Sequence, residues 1–344
     1  MRKRILIIGL GSIGRRHLSI AEQLLPEAEI LVFRRENTKM TSGLGVTEIY
    51  TLDEAKRLLP EIIIISNAAP EHVNTALEFI GTGANIFIEK PISDSTQDIV
   101  RLIHTLNSAG ESLTLGYNLR YLTSLQEFRR YLNEGLIGKS LSVRCEVGQF
   151  LPNWRPEKDY RVGVSARREL GGGVLLELSH EIDYLRWLFG EVKWVRATLL
   201  RQSQLEIDVE DTVHLTIGFE ERNSESQLVA NLNMDFIRHD ATRSCTVIGD
   251  KGTLRWDGIL GEVSLFKPGE SDWNVIFTKD NGIEETYVLE WKELIRATQE
   301  KRSPTVTAED GLRVIEIIEA ARLSAKNGNQ IAVIRTPIRI EDSK

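Results

Sequence analysis

The chain has 344 residues, 41% of them hydrophobic, and a formal net charge of −7. That length exceeds one ordinary core and suits two domains, while an acidic balance without a long basic run excludes nucleic acid as the main partner. Two cysteines, Cys145 and Cys245, are too few for a disulfide framework and are not spaced for a metal, so no metal and a reducing cytoplasm are expected. No run of about 20 apolar residues is present to span a membrane.

Met1 to Arg4 and the apolar residues behind them have the outline of a signal peptide, but the apolar stretch is too short and runs straight into glycine. Residues 5–8 read instead as a buried parallel strand that feeds into Gly9-Leu10-Gly11-Ser12-Ile13-Gly14. A helix over 12–25 follows, with Ile13, Leu18, Ile20, Leu24 and Leu25 as its apolar members. In a strand, turn and helix context this G-x-G-x-x-G pattern binds dinucleotides for reasons of space. Gly9 permits the tight turn, Gly11 admits a pyrophosphate to the backbone, and Gly14 lets helix and strand pack closely. Phosphates then meet free N–H groups and the positive end of the helix dipole. Gly9, Gly11, Ser12, Ile13 and Gly14 are the expected cradle.

A second strand over 29–33 ends at Arg34 and Arg35, where an acid about 20 residues beyond the turn usually binds the ribose hydroxyls. An arginine fork cannot accept from a hydroxyl but clamps a 2′-phosphate, which favours NADP(H). NAD(H) stays possible if Arg34 and Arg35 are solvated and Glu36 supplies the acid. Strands over 62–66, 85–88 and 113–116 alternate with helices over 70–80 and 96–106, which is a doubly wound parallel sheet occupying 1–120. Ligands of such sheets lie at the carboxyl ends of the strands. Asn67, Pro70 and His72 follow one such end, and Glu89-Lys90-Pro91 follows another. A lysine held there can exchange protons with a bound reactant; the alternative is a surface lysine before a proline.

From about residue 121 the texture changes. After a helix over 124–134, alternating runs over 141–150, 195–204, 212–219, 227–236 and 244–248 predict a mostly antiparallel sheet with one covered face, in a second domain reaching 344. Late helices over 289–301 and 308–327 are expected to pack back on the first domain. Gly171-Gly172-Gly173 open a helix over 175–188 on which Glu177, His180 and Asp183 share roughly one face, opposite Leu175, Leu178, Ile182 and Leu185. A histidine flanked by carboxylates is an oriented acid or base, or else a structural histidine. Between strand and helix, Trp154 and Tyr160 offer stacking faces, Asp159 a hydroxyl acceptor, and Arg155, Arg161, Arg167 and Arg168 clamps for a carboxylate or diphosphate. A solvated loop or an oligomer arm is the alternative.

With these residues in place, the chain resembles the glucose-fructose oxidoreductase, inositol dehydrogenase and rhizopine catabolism (Gfo/Idh/MocA) family over almost its whole length. The matching segments are the glycine turn through Arg15-Arg16-His17, Glu89-Lys90-Pro91, residues 116–121, the glycine-led helix with His180 and Asp183, and residues 248–254. The resemblance implies a Rossmann domain, an open-faced sheet domain that makes homodimer or homotetramer contacts, and hydride exchange between nicotinamide and a carbon of a sugar, sugar derivative or polyol. It makes Lys90 the catalytic lysine and His180 the catalytic histidine, and it places Arg120 and His239 among pocket residues. One departure stands out: the family commonly has an aspartate four residues before the histidine, and this chain has Glu177 three before it. An amino-sugar, deoxysugar or nucleotide-sugar with an anionic group is the expected substrate. Two other classes stay open, a non-redox sugar enzyme that uses a bound dinucleotide transiently and a ligand sensor without catalysis; the presence of both Lys90 and His180 speaks against the sensor.

Overall fold

The computed structural model describes residues 3–34, 45–220, 227–280 and 282–338. They fall into two compact units, one of Met1–Tyr117, Tyr287–Ile315 and Thr336–Lys344, the other of Asn118–Thr286 and Glu316–Arg335. The chain thus returns to the first unit after completing most of the second.

In the first unit, among the described residues, β1 (Arg4–Ile8), β2 (Glu29–Phe33), β3 (Thr47–Ile49), β4 (Ile62–Ile65), β5 (Asn85–Glu89) and β6 (Leu113–Gly116) form a parallel sheet of order β3-β2-β1-β4-β5-β6. The order reverses between β1 and β4, where Ile5 pairs with Ile62 and Ile8 with Ile65. Helices α1 (Ser12–Leu24), α2 (Leu52–Arg57), α3 (Ala69–Leu77) and α4 (Gln97–Ala109) supply the crossovers. Ile5, Ile7, Ile62 and Ile64 are buried against Leu18 and Ala21 of α1 and against Trp291 and Leu294 on a later helix. Each such isoleucine contributes about 1.5–3 kcal/mol of transfer free energy. Strand β3 and helix α2 were not anticipated. The strand has three residues, too few to show a period, although Thr51 does cap α2 by accepting the Glu54 N–H at 3.2 Å.

In the second unit, a 3-10 turn (Asn118–Tyr121) and α5 (Thr123–Asn133) precede β7 (Ser140–Gly148). Then come α6 (Val174–Glu177), α7 (His180–Phe189), β8 (Val192–Leu200), β9 (Thr212–Phe219), β10 (Val229–Asp235), β11 (Thr242–Gly249), β12 (Thr253–Asp257), β13 (Glu262–Phe266) and β14 (Asn274–Thr278). Helices α8 (Ile283–Glu300) and α9 (Ala308–Asn327) and strand β15 (Ile331–Ala332) close the described chain. The second sheet has order β14-β13-β12-β11-β7-β10-β9-β8-β15 and is antiparallel except for the β7–β10 pair. Its buried face meets α5 and α7: the Trp256 indole donates to Ser124 Oγ at 3.0 Å, and Tyr184 meets Trp256 edge-on. Cys145 and Cys245 are opposite one another on β7 and β11, and burial pushes the Cys145 thiol and the Tyr184 phenol beside it well up.

Two expectations need correction here. The helix over 175–188 is two helices, because at Leu178 the backbone leaves the helical region and Ser179 and Glu181 bond back to Leu176 and Leu178, three residues away. The apolar period runs unbroken through the step, so the pattern could not show it. Strands β12 to β15 were also missed. Strands β12 to β14 have five residues each, β15 has two and follows α9, and β8 begins three residues before the run at 195–204, which ends in a bend.

Candidate active site

The glycine turn is fixed by contact with the end of β4. Ser66 Oγ donates to the carbonyls of Ile8 (3.1 Å) and Gly9 (2.8 Å), and a Cβ on Gly9 would lie 2.6 Å from Asn67 N. Gly9 has φ of +92°, open to glycine at little cost, and a Cβ on Gly14 would come within 1.9 Å of the Gly9 carbonyl oxygen. Gly11 differs: a Cβ there meets nothing within 4 Å. What it leaves free is the approach to the α1 N-terminus, where Gly11 provides no side-chain cap, the first turn holds no acid, and Ser12 and Ile13 reach solvent. Asn67 binds Glu71 and Thr75 through Nδ2, both at 3.1 Å, while its buried Oδ1 has no hydrogen-bond partner among the described residues. An uncapped helix end over an open glycine, with an orphaned acceptor on the adjoining loop, fits a dinucleotide.

Lys90 follows β5 and is held through its main chain, whose N–H donates to Glu89 Oε2 at 3.1 Å. Glu89 is itself buried and bonded through Oε1 to His17 Nε2 at 2.8 Å. The Trp291 indole, which can only donate, reaches His17 Nδ1 at 2.8 Å. Nδ1 therefore accepts, the imidazole proton sits on Nε2, and the chain of bonds runs Trp291 to His17 to Glu89 with each donor matched. Beside Trp291, Glu290 is fully buried and neither carboxyl oxygen has a partner among the described residues. Burial and then the charge of Glu89 push its carboxyl well above the usual range. His72 is buried with Nδ1 2.8 Å from Pro91 O and Nε2 3.1 Å from Asn67 O, so it ties the Asn67 loop to the residue after Lys90; burial lowers it against the pull of both carbonyls. Pro70 sits in the first turn of α3. Arg34 leaves β2 half-buried, its N–H on Ile49 O at 2.8 Å. Arg35 and Glu36 lie outside the described residues.

In the second unit, Glu177 ends α6 and His180 opens α7, so the shared helical face expected for them does not form. Glu177 Oε2 accepts from Ser165 Oγ at 2.9 Å. Asp183 and Arg120, expected in separate roles, are brought together: Arg120 Nε and Nη2 bind the two Asp183 oxygens at 2.9 and 2.6 Å, with both side chains buried. Removing one member of such a pair costs about 3–5 kcal/mol, because the other charge stays buried. Glu181, also fully buried, is bound by Arg243 at 2.7 Å. Trp154 donates to Gln149 O at 3.1 Å and packs edge-on against Phe236; the Tyr160 hydroxyl accepts the Glu206 N–H at 3.2 Å. His239 lies over Phe150, ring centroids 4.6 Å apart.

Residues 3–117 match the model of an oxidoreductase family with an NAD-binding Rossmann fold, and residues 129–333 match the C-terminal alpha/beta domain of the same family. The chain belongs to the Gfo/Idh/MocA oxidoreductase family. It is 23% identical over 343 residues to the myo-inositol 2-dehydrogenase of Thermotoga maritima, covering 95% of this chain and 98% of that one. Among solved structures, a levoglucosan dehydrogenase in complex with NADH superposes with a TM-score of 0.83 at 19% identity, over 98% of this chain and 100% of that chain. The WlbA dehydrogenase of Bordetella pertussis, in complex with NADH and UDP-GlcNAcA, gives 0.80 at 19%, with the same coverage. At such identities the structures show the shared fold, and the family match establishes an NAD-binding oxidoreductase.

Within this family's framework, Trp291 and Glu290 are not named from the sequence, and His17 is named only as part of the glycine-turn segment, without a role. His17 had a visible signal, three residues past Gly14 on the strand-facing side of α1. Trp291 and Glu290 had none, since nothing in their local pattern tells which strand end they meet.

Proposed function

We propose that the chain catalyses reversible hydride transfer between a nicotinamide dinucleotide and a carbinol carbon of a sugar, sugar derivative or polyol, with Lys90 and His180 handling the proton. The observation that carries this reading is the cradle of Gly9 to Gly14, in the same unit as a Lys90 anchored through Glu89. Relatives named for inositol and levoglucosan, and one solved with UDP-GlcNAcA, support the substrate class. When bound, the nicotinamide supplies the hydride acceptor or donor. Gly11, Ser12 and Ile13 hold the pyrophosphate on the α1 N-terminus, and Asn67 offers its free Oδ1 to a donor of the cofactor. As the alcohol is oxidised, His180 and Lys90 share the removal of the hydroxyl proton, and a Lys90 ammonium on the oxygen stabilises its developing negative charge. In the reducing direction the same two residues return that proton. Arg120 and Asp183, locked together, position α7 behind His180, and Glu177 with Ser165 does so before it.

NADP(H) is the preferred cofactor on this reading, through the Arg34 fork at the end of β2. The chain is a homodimer or homotetramer through the second sheet, which carries exposed polar pairs on one face, His214 bonded to Asn233 and Thr216 to Asn231 across β9 and β10. Its two free cysteines suit the cytoplasm. The deciding experiment follows dinucleotide absorbance over a panel of inositols, hexoses and nucleotide sugars with wild type, Lys90→Met and His180→Ala. Each variant should keep its dinucleotide affinity and lose about 10²–10⁴ in kcat. Near-wild-type turnover by Lys90→Met with cofactor bound would discard the scheme. A preference for NAD unaltered in Arg34→Ala would discard the cofactor assignment alone.

A further inference from the structure

Three short turns of the second unit, Leu151–Trp154, Tyr160–Val162 and Val164–Ala166, surround a cavity of about 380 Å³. Leu151, Trp154, Tyr160 and Val162 give it apolar and aromatic walls, and Arg155 and Lys158 complete the lining. Its polar groups are unequally committed. Asp159 has both oxygens on Arg161, at 2.9 to 3.1 Å, and these bonds hold its carboxyl below the usual range. The Trp154 N–H is spent on Gln149, the Tyr160 hydroxyl accepts from Glu206, and the Ser165 hydroxyl donates to Glu177. Arg155 and Lys158, by contrast, have no side-chain partner among the described residues.

That division selects the ligand. A bare pyranose carries a hydroxyl on most of its carbons and needs acceptors for them, and here the Asp159 carboxylate is committed to Arg161 and that of Glu177 to Ser165. A flat unsaturated ring needs mainly a face to lie on, which Trp154 and Tyr160 provide. Two exposed cations without a side-chain partner are available to an anion, and an arginine prefers one with paired oxygens. A nucleoside diphosphate joins both features in one molecule. The cavity is also built into the segment that carries the histidine. Gly173 N–H donates to Ser165 O at 3.1 Å, and a Cβ on Gly172 would lie 2.2 Å from Val164 O. Residues 163–167 and 172–177 therefore pack as one piece, from which His180 follows directly.

We propose that this cavity is a subsite for the nucleoside diphosphate of a nucleotide-linked sugar, so that Arg155 and Lys158 bind the phosphates while Trp154 and Tyr160 bind the base. The proposal rests on the dehydrogenase reading above. Its test is calorimetric titration of UDP into the full-length protein already saturated with NADPH or NADH, with uridine and pyrophosphate as separate probes. UDP should bind, each half-ligand should bind much more weakly, and Arg155→Ala and Lys158→Ala should each weaken UDP by about tenfold while dinucleotide affinity stays as in wild type. The same variants should raise KM for a UDP-sugar more than they lower kcat. Absence of UDP binding, binding indifferent to both variants, or binding abolished by saturating dinucleotide each overturns the subsite. If the panel shows no hydride transfer although UDP binding is intact and sensitive to both variants, the dehydrogenase reading falls and the subsite stands.

Discussion

The glycine turn of the first unit and the segment around Trp154 in the second both carry residues expected to meet a ligand, yet they are held in opposite ways. Gly9, Gly14, Ser66 and Asn67 are fixed by contact, with no room for a single added carbon at Gly9 or Gly14. Behind Lys90, Trp291, His17 and Glu89 form a buried relay in which every donor has its acceptor. Around the cavity, exposed turns are held by ion pairs of Arg161 with Asp159 and Glu206, both in solvent reach. The first arrangement suits a cofactor of constant shape. The second tolerates change in sequence at little cost to the fold, as a specificity site must. Substitutions should therefore register as lost stability in the first region and as lost affinity in the second.

The largest effect should come from Gly14→Ala. Its Cβ would meet backbone, which cannot turn aside as a side chain can, so the cost should exceed about 3 kcal/mol and show as a steep fall in Tm. Gly11→Ala breaks the comparison within the same turn. With open space at that position, Tm should stay at the wild-type value while the dinucleotide Kd rises about tenfold or more, because the new methyl group occupies the phosphate approach. Equal loss of Tm in both variants would show that fit in this turn is not local.

Trp291→Phe keeps the ring in the core and deletes the N–H, leaving His17 Nδ1 buried without its donor. Chemical denaturation should register a loss of about 1–3 kcal/mol. Glu290→Gln should act in the opposite direction and only with pH. In the unfolded chain Glu290 ionises from its ordinary value of 4.5, while the fold keeps it protonated to a higher pH. The wild type therefore loses stability as pH rises from about 4.5 toward the raised folded value. Glutamine ionises in neither state, so the variant's Tm relative to wild type should climb through that window, reaching a gain on the order of 1–3 kcal/mol near neutrality. A difference independent of pH would mean that Glu290 ionises alike in both states.

The contrast between the regions also explains which features could be read in the sequence. The glycine turn was legible because its constraint is local: strand, turn and helix are neighbours in the chain, and Gly9 and Gly14 answer contacts within that span or with the adjoining loop, while Gly11 keeps the approach between them open. Lys90 was legible as a residue at a strand end. The relay behind it was not, since His17 and Trp291 are separated by 274 positions and only the fold brings them to one carboxylate. In the second unit the same limit took another form. Arg120 and Asp183 each looked available for a ligand, and pairing across 63 positions committed them to one another. The break between α6 and α7 hid inside an unbroken apolar period, whereas Trp154 and Tyr160 could be named as wall residues because aromatic side chains in a charged loop are conspicuous by type alone.

Arg161→Ala, like Gly11→Ala, should leave stability unchanged, and it separates the two regions most sharply. Arg161 is exposed, and its pairs with Asp159 and Glu206 are screened by water, so Tm should match wild type. Its effect on the cavity should not be silent. Without the guanidinium, the carboxylate of Asp159 is released into the lining that Arg155 and Lys158 make positive, and a phosphate ligand then meets like charge. UDP affinity should fall, and lowering the pH toward the ordinary range of an aspartate should restore part of it by protonating Asp159, with the recovery absent in Arg161→Ala/Asp159→Asn. A fall in Tm without change in UDP binding would reverse the assignment, making this ion pair part of the scaffold and leaving the cavity's charge to Arg155 and Lys158 alone.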